Sequence, residues 1–298
     1  MTAASKQPSG AASYVNSRQI KVGPARRKSL IAMFALLPAL VVFCAFWLLP
    51  FSRLIMMGAE ADPSSGISAY LTILTHRQYL ISLATTVGLS LVVSLVAVAI
   101  AGVAGFFLAR QRFFGKSILV AILTFPLAFP GVVVGFLVIM LGGRQGALAQ
   151  TSLWLFGERW MFAYSLAGLF IGYLYFSIPR VITTVMAACD NLDQSLEEAA
   201  RSLGANTWQV AKDVIVPGIA PALLSTGAIC FATSMGAFGT AFTLGTRLSI
   251  LPLNIYGEFT NYANFAMAAA LSVVLGVITW MALSLARRLA SGNLGASV

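Results

Sequence analysis

Residues 78–109 read QYLISLATTVGLSLVVSLVAVAIAGVAGFFLA and contain no charged side chain. A helix needs roughly 20 predominantly apolar residues to cross the hydrocarbon core of a bilayer. The run ends at Arg110, and arginine is concentrated at the cytoplasmic surface of membranes rather than in their core. This stretch therefore predicts a transmembrane helix.

Five further apolar runs flank this one, at residues 30–49, 117–143, 160–189, 214–246 and 259–286. The run at 214–246 is longer than one crossing requires, so we expect part of it to line a pore or to lie in the interface. The run at 30–49 could instead be a secretory signal, but signal segments are shorter, about 7–15 residues, which favours a retained anchor. We predict an all-α polytopic membrane protein with about six transmembrane helices.

The composition excludes an ordinary soluble protein. Hydrophobic residues make up 59% of the chain and charged residues 9%, whereas a soluble domain is about 25% charged. The net charge of +10 would suggest nucleic acid in a soluble protein. Here the basic residues stand at the ends of apolar runs, and no basic stripe interleaved with aromatic residues occurs, so we predict a bilayer and no nucleic acid as the partner.

Residues that would carry enzyme chemistry are few. The cysteines form no C-x-x-C motif and the single histidine lies in a predicted loop, so we expect no disulfide, metal or redox site; these residues are Cys44, Cys189, Cys230 and His76. Gly115-Lys116-Ser117 resembles the end of a phosphate-binding loop, but that pattern needs glycine where this chain has Arg110. We predict that the chain is not an enzyme and binds no cofactor, with any ATP used by a partner.

Basic residues also predict the orientation. Six crossings put both termini on one side, and placing that side in the cytoplasm satisfies the positive-inside rule. Thirteen of the 19 Lys and Arg residues then lie inside, namely Lys6, Arg18, Lys21, Arg26, Arg27, Lys28, Arg110, Arg112, Lys116, Arg201, Lys212, Arg287 and Arg288. Both termini and the segment 190–213 are therefore predicted to be cytoplasmic.

The third run carries the signals of a kinked helix. It contains Pro126, Pro130, Gly131 and Gly135. Proline interrupts helical hydrogen bonding, and a G-x-x-x-G pair lets two helix backbones approach closely. We expect these four residues to kink a pore-facing helix; an ordinary kink repaired by neighbouring helices is the alternative.

The polar segment between the fourth and fifth runs reads DQSLEEAARSLG over residues 193–204. Ser195 and Glu198 fit the S-x-x-E capping box at a helix start. Leu196, Ala199, Ala200 and Leu203 follow with spacings that give one apolar stripe. Gly204 stands where a helix ends in a left-handed residue.

A second short helix is predicted directly afterwards. Asn206 or Thr207 can cap its start, and we expect it to end at Pro217. Two amphipathic helices therefore form a cytoplasmic hairpin, on which Glu197, Glu198 and Arg201 offer charged contacts. That hairpin either docks a partner or simply caps the bundle.

A family resemblance favours the docking interpretation. Glu198-Ala199-Ala200, then Gly204, Val214 and Val216-Pro217, resemble the EAA loop of the inner-membrane permeases of binding-protein-dependent ABC importers. The family pattern has Ile and Leu near its end, where this chain has two valines. The extended motif is also similar, from Leu196 to Ala205.

The resemblance implies a function and partners. In that family the loop forms a coupling helix that docks on a cytoplasmic ABC ATPase. Two permease subunits, identical or different, form the pore above an ATPase dimer, and an external solute-binding protein delivers the substrate. By carry-over the ATPase-coupling residues are Leu196, Glu197, Glu198, Ala199, Ala200, Arg201, Leu203, Gly204 and Ala205. The implied location is the bacterial inner membrane.

Composition and the resemblance together predict the domain organisation. Residues 1–28 mix Ser, Pro, Gly and basic residues and are therefore expected to be a disordered basic cytoplasmic tail. Residues 29–79 would hold the first transmembrane helix and an outer loop. Residues 80–290 would form the importer permease domain, with the coupling loop at 190–217, and residues 291–298 a cytoplasmic tail.

Substrate identity rests on the arrangement as a whole, which resembles spermidine/putrescine permeases. Permeases for 2-aminoethylphosphonate, ferric iron or thiamine are alternatives, although no carboxylate in the predicted spans is available to pair with a polycation. Asn254 and Glu258, near the outer end of the sixth span, are candidate contacts for the substrate or the binding protein; a solvated loop is the alternative and is favoured. An ion-coupled secondary transporter is the alternative from another class, and the lack of acidic residues or histidine within the spans disfavours it.

Overall fold

The computed structural model describes residues 36–60, 68–245 and 248–295, and every regular element in these ranges is helical. The helices are α1 Leu36–Ala59, α2 Ala69–Thr75, α3 Arg77–Arg110, α4 Lys116–Thr124, α5 Gly131–Gly142, α6 Ala147–Phe156, α7 Leu166–Asp190, α8 Gln194–Ser202, α9 Thr207–Met235, α10 Phe238–Leu244, α11 Leu251–Thr260 and α12 Phe265–Gly295. The predicted tail at 1–28, part of the predicted outer loop and the last three residues lie outside the described ranges.

Six of these segments are long and apolar enough to cross a bilayer: α1, α3, Gly131–Phe156, α7, α9 and α12. The prediction of an all-α protein with about six spans is confirmed. Helix α12 continues to Gly295, so the predicted C-terminal tail begins inside a helix. Helices α1 and α2 likewise occupy much of the region that we expected to be an outer loop.

The described chain divides into two compact units after Ser52. In the first unit, the part of α1 from Leu36 to Phe51 is apolar and almost entirely exposed, as with Phe46 at 80% exposure. Rings stack along it from Phe43 to Trp47 and from Trp47 to Phe51. A helix that is apolar on every side suits a lipid environment.

In the second unit, α3, α7 and α9 pack against one another and α12 packs on α9. Small residues make the approach close, since a Cβ added at Gly105 of α3 would lie 3.0 Å from the carbonyl oxygen of Ile182 in α7. Ala97, Ala101 and Val185 are completely buried at this contact. The close packing of α3 and α7 gives the bundle its rigid centre.

The third apolar run is broken rather than kinked, which corrects our expectation of a single helix. Helix α4 ends at Thr124, a turn of 3₁₀ helix covers Phe125–Ala128, and α5 starts at Gly131. Phe129 is extended, with φ −87° and ψ 133°, because the ring of the following proline clashes with a helical residue before it. The chain then enters α5 through Pro130, which is its N-cap.

Pro217 does not end a helix, which corrects a second expectation. Helix α9 runs through it from Thr207 to Met235, with a π-helical turn at Ala211–Ile215 directly before it. The N–H of Val216 donates to the carbonyl of Ala211, five residues back. This wider turn relieves the clash that proline makes with the carbonyl four residues before it. Pro50 in α1 follows a similar turn, at Cys44–Leu48.

Gly135 allows α5 to contact α10, and its replacement gives a first stability prediction. A Cβ at Gly135 would lie 2.6 Å from Cβ of Thr243. We expect Gly135→Val to destabilise the bundle by about 1–3 kcal/mol, the usual cost of overpacking. The melting temperature of the purified protein in detergent measures this effect. Gly88→Ala is the control, because a Cβ there meets nothing within 4 Å; equal melting temperatures for both variants would contradict the prediction.

Candidate functional site

The first candidate site is the hairpin of α8 and the start of α9, which joins α7 to the α9 span. Its first helix is capped by Asp193, whose carboxylate accepts a hydrogen bond from the N–H of Ser195 at 2.9 Å. The expected capping box of Ser195 and Glu198 is wrong, because α8 begins at Gln194 and Ser195 is already its second residue. A carboxylate is also the better cap, since its charge is stabilised at the positive end of the helix dipole.

The hydrogen bond from Ser195 holds the pKa of Asp193 below its ordinary value. A depressed pKa stabilises the folded state above the ordinary pKa of the carboxyl and loses that contribution as the pH falls through the lowered value. The cap is therefore fully ionised at neutral pH.

The end of α8 is a Schellman motif built on Gly204, whose φ is 86°. The N–H of Ala205 donates to the carbonyl of Ala200 at 3.1 Å, and the N–H of Gly204 donates to that of Arg201 at 3.0 Å. These bonds satisfy carbonyls that the helix end leaves without partners. The open space around Gly204 shows that backbone conformation, and not crowding, requires glycine here.

The second half of the hairpin starts at Asn206, as predicted. The side chain of Asn206 accepts from the N–H of Gln209 at 2.9 Å, and the N–H of Asn206 donates to the Gln209 side chain at 2.8 Å. This reciprocal capping box fixes the direction in which α9 leaves the hairpin.

Two kinds of contact attach α8 to the bundle. Ala200 and Ala205 pack against the core cluster that contains Val185 and Ile215. Glu197, in the first turn of α8, forms an ion pair with Arg110 at the end of α3. The two side chains are only 14% and 20% exposed, respectively. Sequence reasoning treated Glu197 as an outward contact and Arg110 only as a topology signal, because nothing local links residues so far apart in the chain.

The opposite face of the hairpin is exposed and largely apolar. Leu203 is 89% exposed, Trp208 75% and Leu196 53%, and Glu198 and Arg201 are exposed beside them. The apolar stripe expected from the sequence is therefore not a single surface: Leu196, Ala199 and Leu203 are exposed, whereas Ala200 packs against the core. We call the exposed residues Leu196, Glu198, Ala199, Arg201, Leu203 and Trp208 the outer face of the hairpin.

The second candidate site is a cavity of about 400 Å³ that opens to the surface of the bundle, where Leu127 and Val132 of its lining are 43% and 42% exposed. It lies where two spans lose helical geometry, between α4 and α5 and at Gly236–Ala237 between α9 and α10. The long apolar run at 214–246 is divided at this second break. Irregular backbone at membrane depth is tolerated where it is buried in protein or lines a water-filled cavity.

Side chains satisfy the backbone at these breaks. Thr240 donates to the carbonyl of Gly131 at 2.9 Å, and Tyr173 donates to that of Ala237 at 2.9 Å. Pro126 and Gly131 line the cavity. Pro130 is the residue directly before Gly131 in the chain, and Gly135 lies about one helical turn after Gly131 in α5. The four residues singled out in the sequence thus cluster around this cavity.

Arg180 of α7 is the charged residue that lines the cavity. Its guanidinium donates to the Thr233 hydroxyl at 3.0 Å, and the side chain is partly buried. The sequence pointed to this residue, since Arg180 is the single charged residue within the apolar run at 160–189.

Of the two outer candidates, Glu258 accepts a hydrogen bond from the Tyr79 hydroxyl at 2.8 Å, which links α11 to α3. Asn254, one turn earlier on α11, is buried at its side-chain nitrogen. Neither residue lies in the cavity or in the hairpin.

Six apolar spans, broken helices around a cavity and a capped polar hairpin define a membrane transport protein. Residues 101–291, well over half of the chain, match the family model described as "Binding-protein-dependent transport system inner membrane component". The chain belongs to this family and is a multi-pass inner-membrane permease of a binding-protein-dependent ABC importer. The family consists of transport components, in agreement with the prediction that the chain is not an enzyme.

Curated relatives are molybdenum and sulfate permeases. The molybdenum transport system permease protein ModB of Haemophilus influenzae is 28% identical over 62% of this chain and 86% of its own length. The sulfate transport system permease protein CysT of Escherichia coli is 28% identical over 80% of this chain and 84% of its own length. Sulfate permease 2 of the Chlamydomonas reinhardtii chloroplast is 31% identical over 73% of this chain and 60% of its own length. The polyamine assignment finds no support among these relatives.

Solved structures share the fold. A bacterial alginate ABC transporter in complex with an alginate-bound periplasmic protein matches with a TM-score of 0.73 and 17% identity, over 89% of this chain and 96% of the other. The MetNI methionine ABC transporter matches with a TM-score of 0.55 and 17% identity, over 72% and 96%.

Proposed function

We propose that this chain forms half of the substrate pathway of an ATP-driven importer of a tetrahedral oxyanion, molybdate or sulfate. The observation that carries the coupling part is the hairpin itself. Its outer face presents apolar side chains around Glu198 and Arg201, and exposed apolar patches mark interaction sites. The EAA resemblance names four residues of this outer face, Leu196, Glu198, Ala199 and Leu203, together with Arg201.

In this proposal the hairpin docks in a groove of a cytoplasmic ABC ATPase. Leu203 and Trp208 supply the apolar contact, Ala199 allows close approach, and Glu198 offers a carboxylate to a basic group. The orientation follows from the basic residues, with both termini and the hairpin in the cytoplasm. A second permease subunit completes the pathway, and an external solute-binding protein delivers the anion.

The oxyanion replaces the polyamine that we first expected. The named relatives transport molybdenum or sulfate, and the charged residue at the cavity is an arginine. A cationic group next to the pathway repels a polyamine and attracts an anion. Both arguments favour the same substrate class.

The decisive variant is Leu203→Glu. Two assays measure its effect: co-purification with the ABC ATPase, and ATP-driven uptake of radiolabelled molybdate and sulfate. The uptake assay uses proteoliposomes that contain the binding protein. An interface hot spot contributes about 2 kcal/mol or more, and the proposal makes Leu203 such a residue, so we expect ATPase recovery and uptake to fall at least tenfold. Tyr262→Glu is the matched control, because Tyr262 is 74% exposed and lies in the α11–α12 turn. Recovery of the ATPase with Leu203→Glu at the wild-type level would refute docking through the hairpin.

A further inference from the structure

We infer that Arg180 makes this open cavity a transient binding site for the transported anion and sets the charge selectivity of the pathway. The inference deepens the proposed function and rests on it for the identity of the substrate. It starts from the depth of Arg180 in the bundle. Arg180 lies ten residues before the end of α7 and fourteen after its start, or about 15 Å and 21 Å along the axis.

A guanidinium at this depth is costly unless something compensates its charge. No carboxylate lines the cavity in the part of the chain that the structure describes. The partner that Arg180 does have, the Thr233 hydroxyl, is neutral and accepts from one guanidinium nitrogen. An arginine side chain has five N–H donors, so most of its donor capacity is available to an anion that enters the cavity.

The chemistry of the group suits a tetrahedral oxyanion. The planar fork of guanidinium donors matches paired oxygen atoms, as it does in arginine contacts to phosphate. The volume of about 400 Å³ lies within the range of small-molecule sites, roughly 300–1,000 Å³, so the anion can keep part of its hydration. Binding of this kind is weak enough to release the anion, which a transport pathway requires.

The cavity walls support the same interpretation. Gly131, Ala237 and Gly239 line it with little side-chain bulk, and a Cβ at Gly131 would lie 3.1 Å from the Thr240 hydroxyl. Thr240 and Tyr173 donate hydrogen bonds to backbone carbonyls at the two chain breaks. Small residues and satisfied backbone therefore border the cavity next to Arg180, together with apolar side chains such as Phe176 and Phe238.

Charge-selective thiol labelling tests the site without any transport. The native cysteines are replaced by alanine, and Val132, which lines the cavity and is 42% exposed, is changed to cysteine. We expect an anionic methanethiosulfonate to react faster than a cationic one of similar size. Arg180→Gln should reduce the anion-to-cation rate ratio by about tenfold, as expected for loss of a unit charge within several ångströms. Arg180→Lys should preserve most of it.

Arg159→Gln is the matched control, since it removes the same charge from an exposed residue between α6 and α7 and should leave the ratio unchanged. An unchanged ratio in Arg180→Gln would overturn the inference.

Uptake measurements then separate the anion-site inference from the proposed function. If the wild-type importer accumulates molybdate or sulfate and Arg180→Gln lowers uptake at low anion concentration tenfold or more, both stand. If wild-type proteoliposomes that hydrolyse ATP accumulate neither anion, the proposed substrate is wrong, whatever the labelling ratio.

Discussion

Replacing Gly204 by valine is expected to separate the permease from its ATPase while leaving the membrane-spanning bundle folded. Gly204 has a φ of 86°, a conformation that costs an ordinary residue about 1–2 kcal/mol and is rarer still for a β-branched one. Helix α8 has nine residues, none of them fully buried, and its last turn is otherwise held by the packing of Ala200 on the core. We expect recovery of the ATPase, and with it uptake, to fall tenfold or more.

Two controls isolate the cause. Gly204→Asn keeps a residue type that tolerates positive φ, and we expect its ATPase recovery to stay within about threefold of wild type. Gly157→Val introduces the same backbone strain at a φ of 72° between α6 and α7, away from the hairpin, and should retain the ATPase. Co-purification measures the effect, with membrane insertion and melting temperature recorded in parallel. If Gly204→Val and Gly204→Asn behave alike, the geometry of this turn does not govern docking.

The six spans were predictable from the sequence because lipid imposes a simple rule. A segment that crosses the bilayer must satisfy its own backbone hydrogen bonds and carry few charges, and runs such as 78–109 meet both conditions. Where those runs break was less predictable. Pro130 caps the start of a new helix after a break in its run, whereas Pro217 lies within a continuous helix because a π-helical turn at Ala211–Ile215 accommodates it. No local residue pattern distinguishes the two cases.

In the hairpin, the local signals were informative and the long-range contacts were not. Gly204 and Asn206 were predicted as the turn and the second cap because each acts on its own neighbours in sequence. The first cap was misassigned because Asp193 and Ser195 compete for one role within three residues. The contact of Glu197 with Arg110 joins helices 87 residues apart in the chain and depends on how α3 and α7 pack.

Reversing the charge of Glu197 is expected to disconnect the hairpin from the transmembrane helices. Breaking a buried ion pair by altering one partner costs about 3–5 kcal/mol. Because this pair is partly exposed, we expect the cost here to be about 3 kcal/mol or less. Arg110 also lies over the ring of Phe106, 6.0 Å from its centroid, so its side chain is held in place for Glu197. We expect Glu197→Arg and Arg110→Glu each to lower ATP-driven uptake by about tenfold or more.

The double variant Arg110→Glu, Glu197→Arg restores opposite charges at the same two positions and is expected to recover a substantial part of the lost uptake. A double-mutant cycle in uptake and in melting temperature then separates the interaction between the two side chains from their individual effects. Arg112→Glu, an exposed arginine two residues along the chain, controls for a general change of charge at this end of the bundle. Additive losses in the double variant would show that the two side chains act independently. A recovery confined to the double variant would show that the two side chains act as a pair that ties the hairpin to α3, the helix that packs directly on the one carrying Arg180.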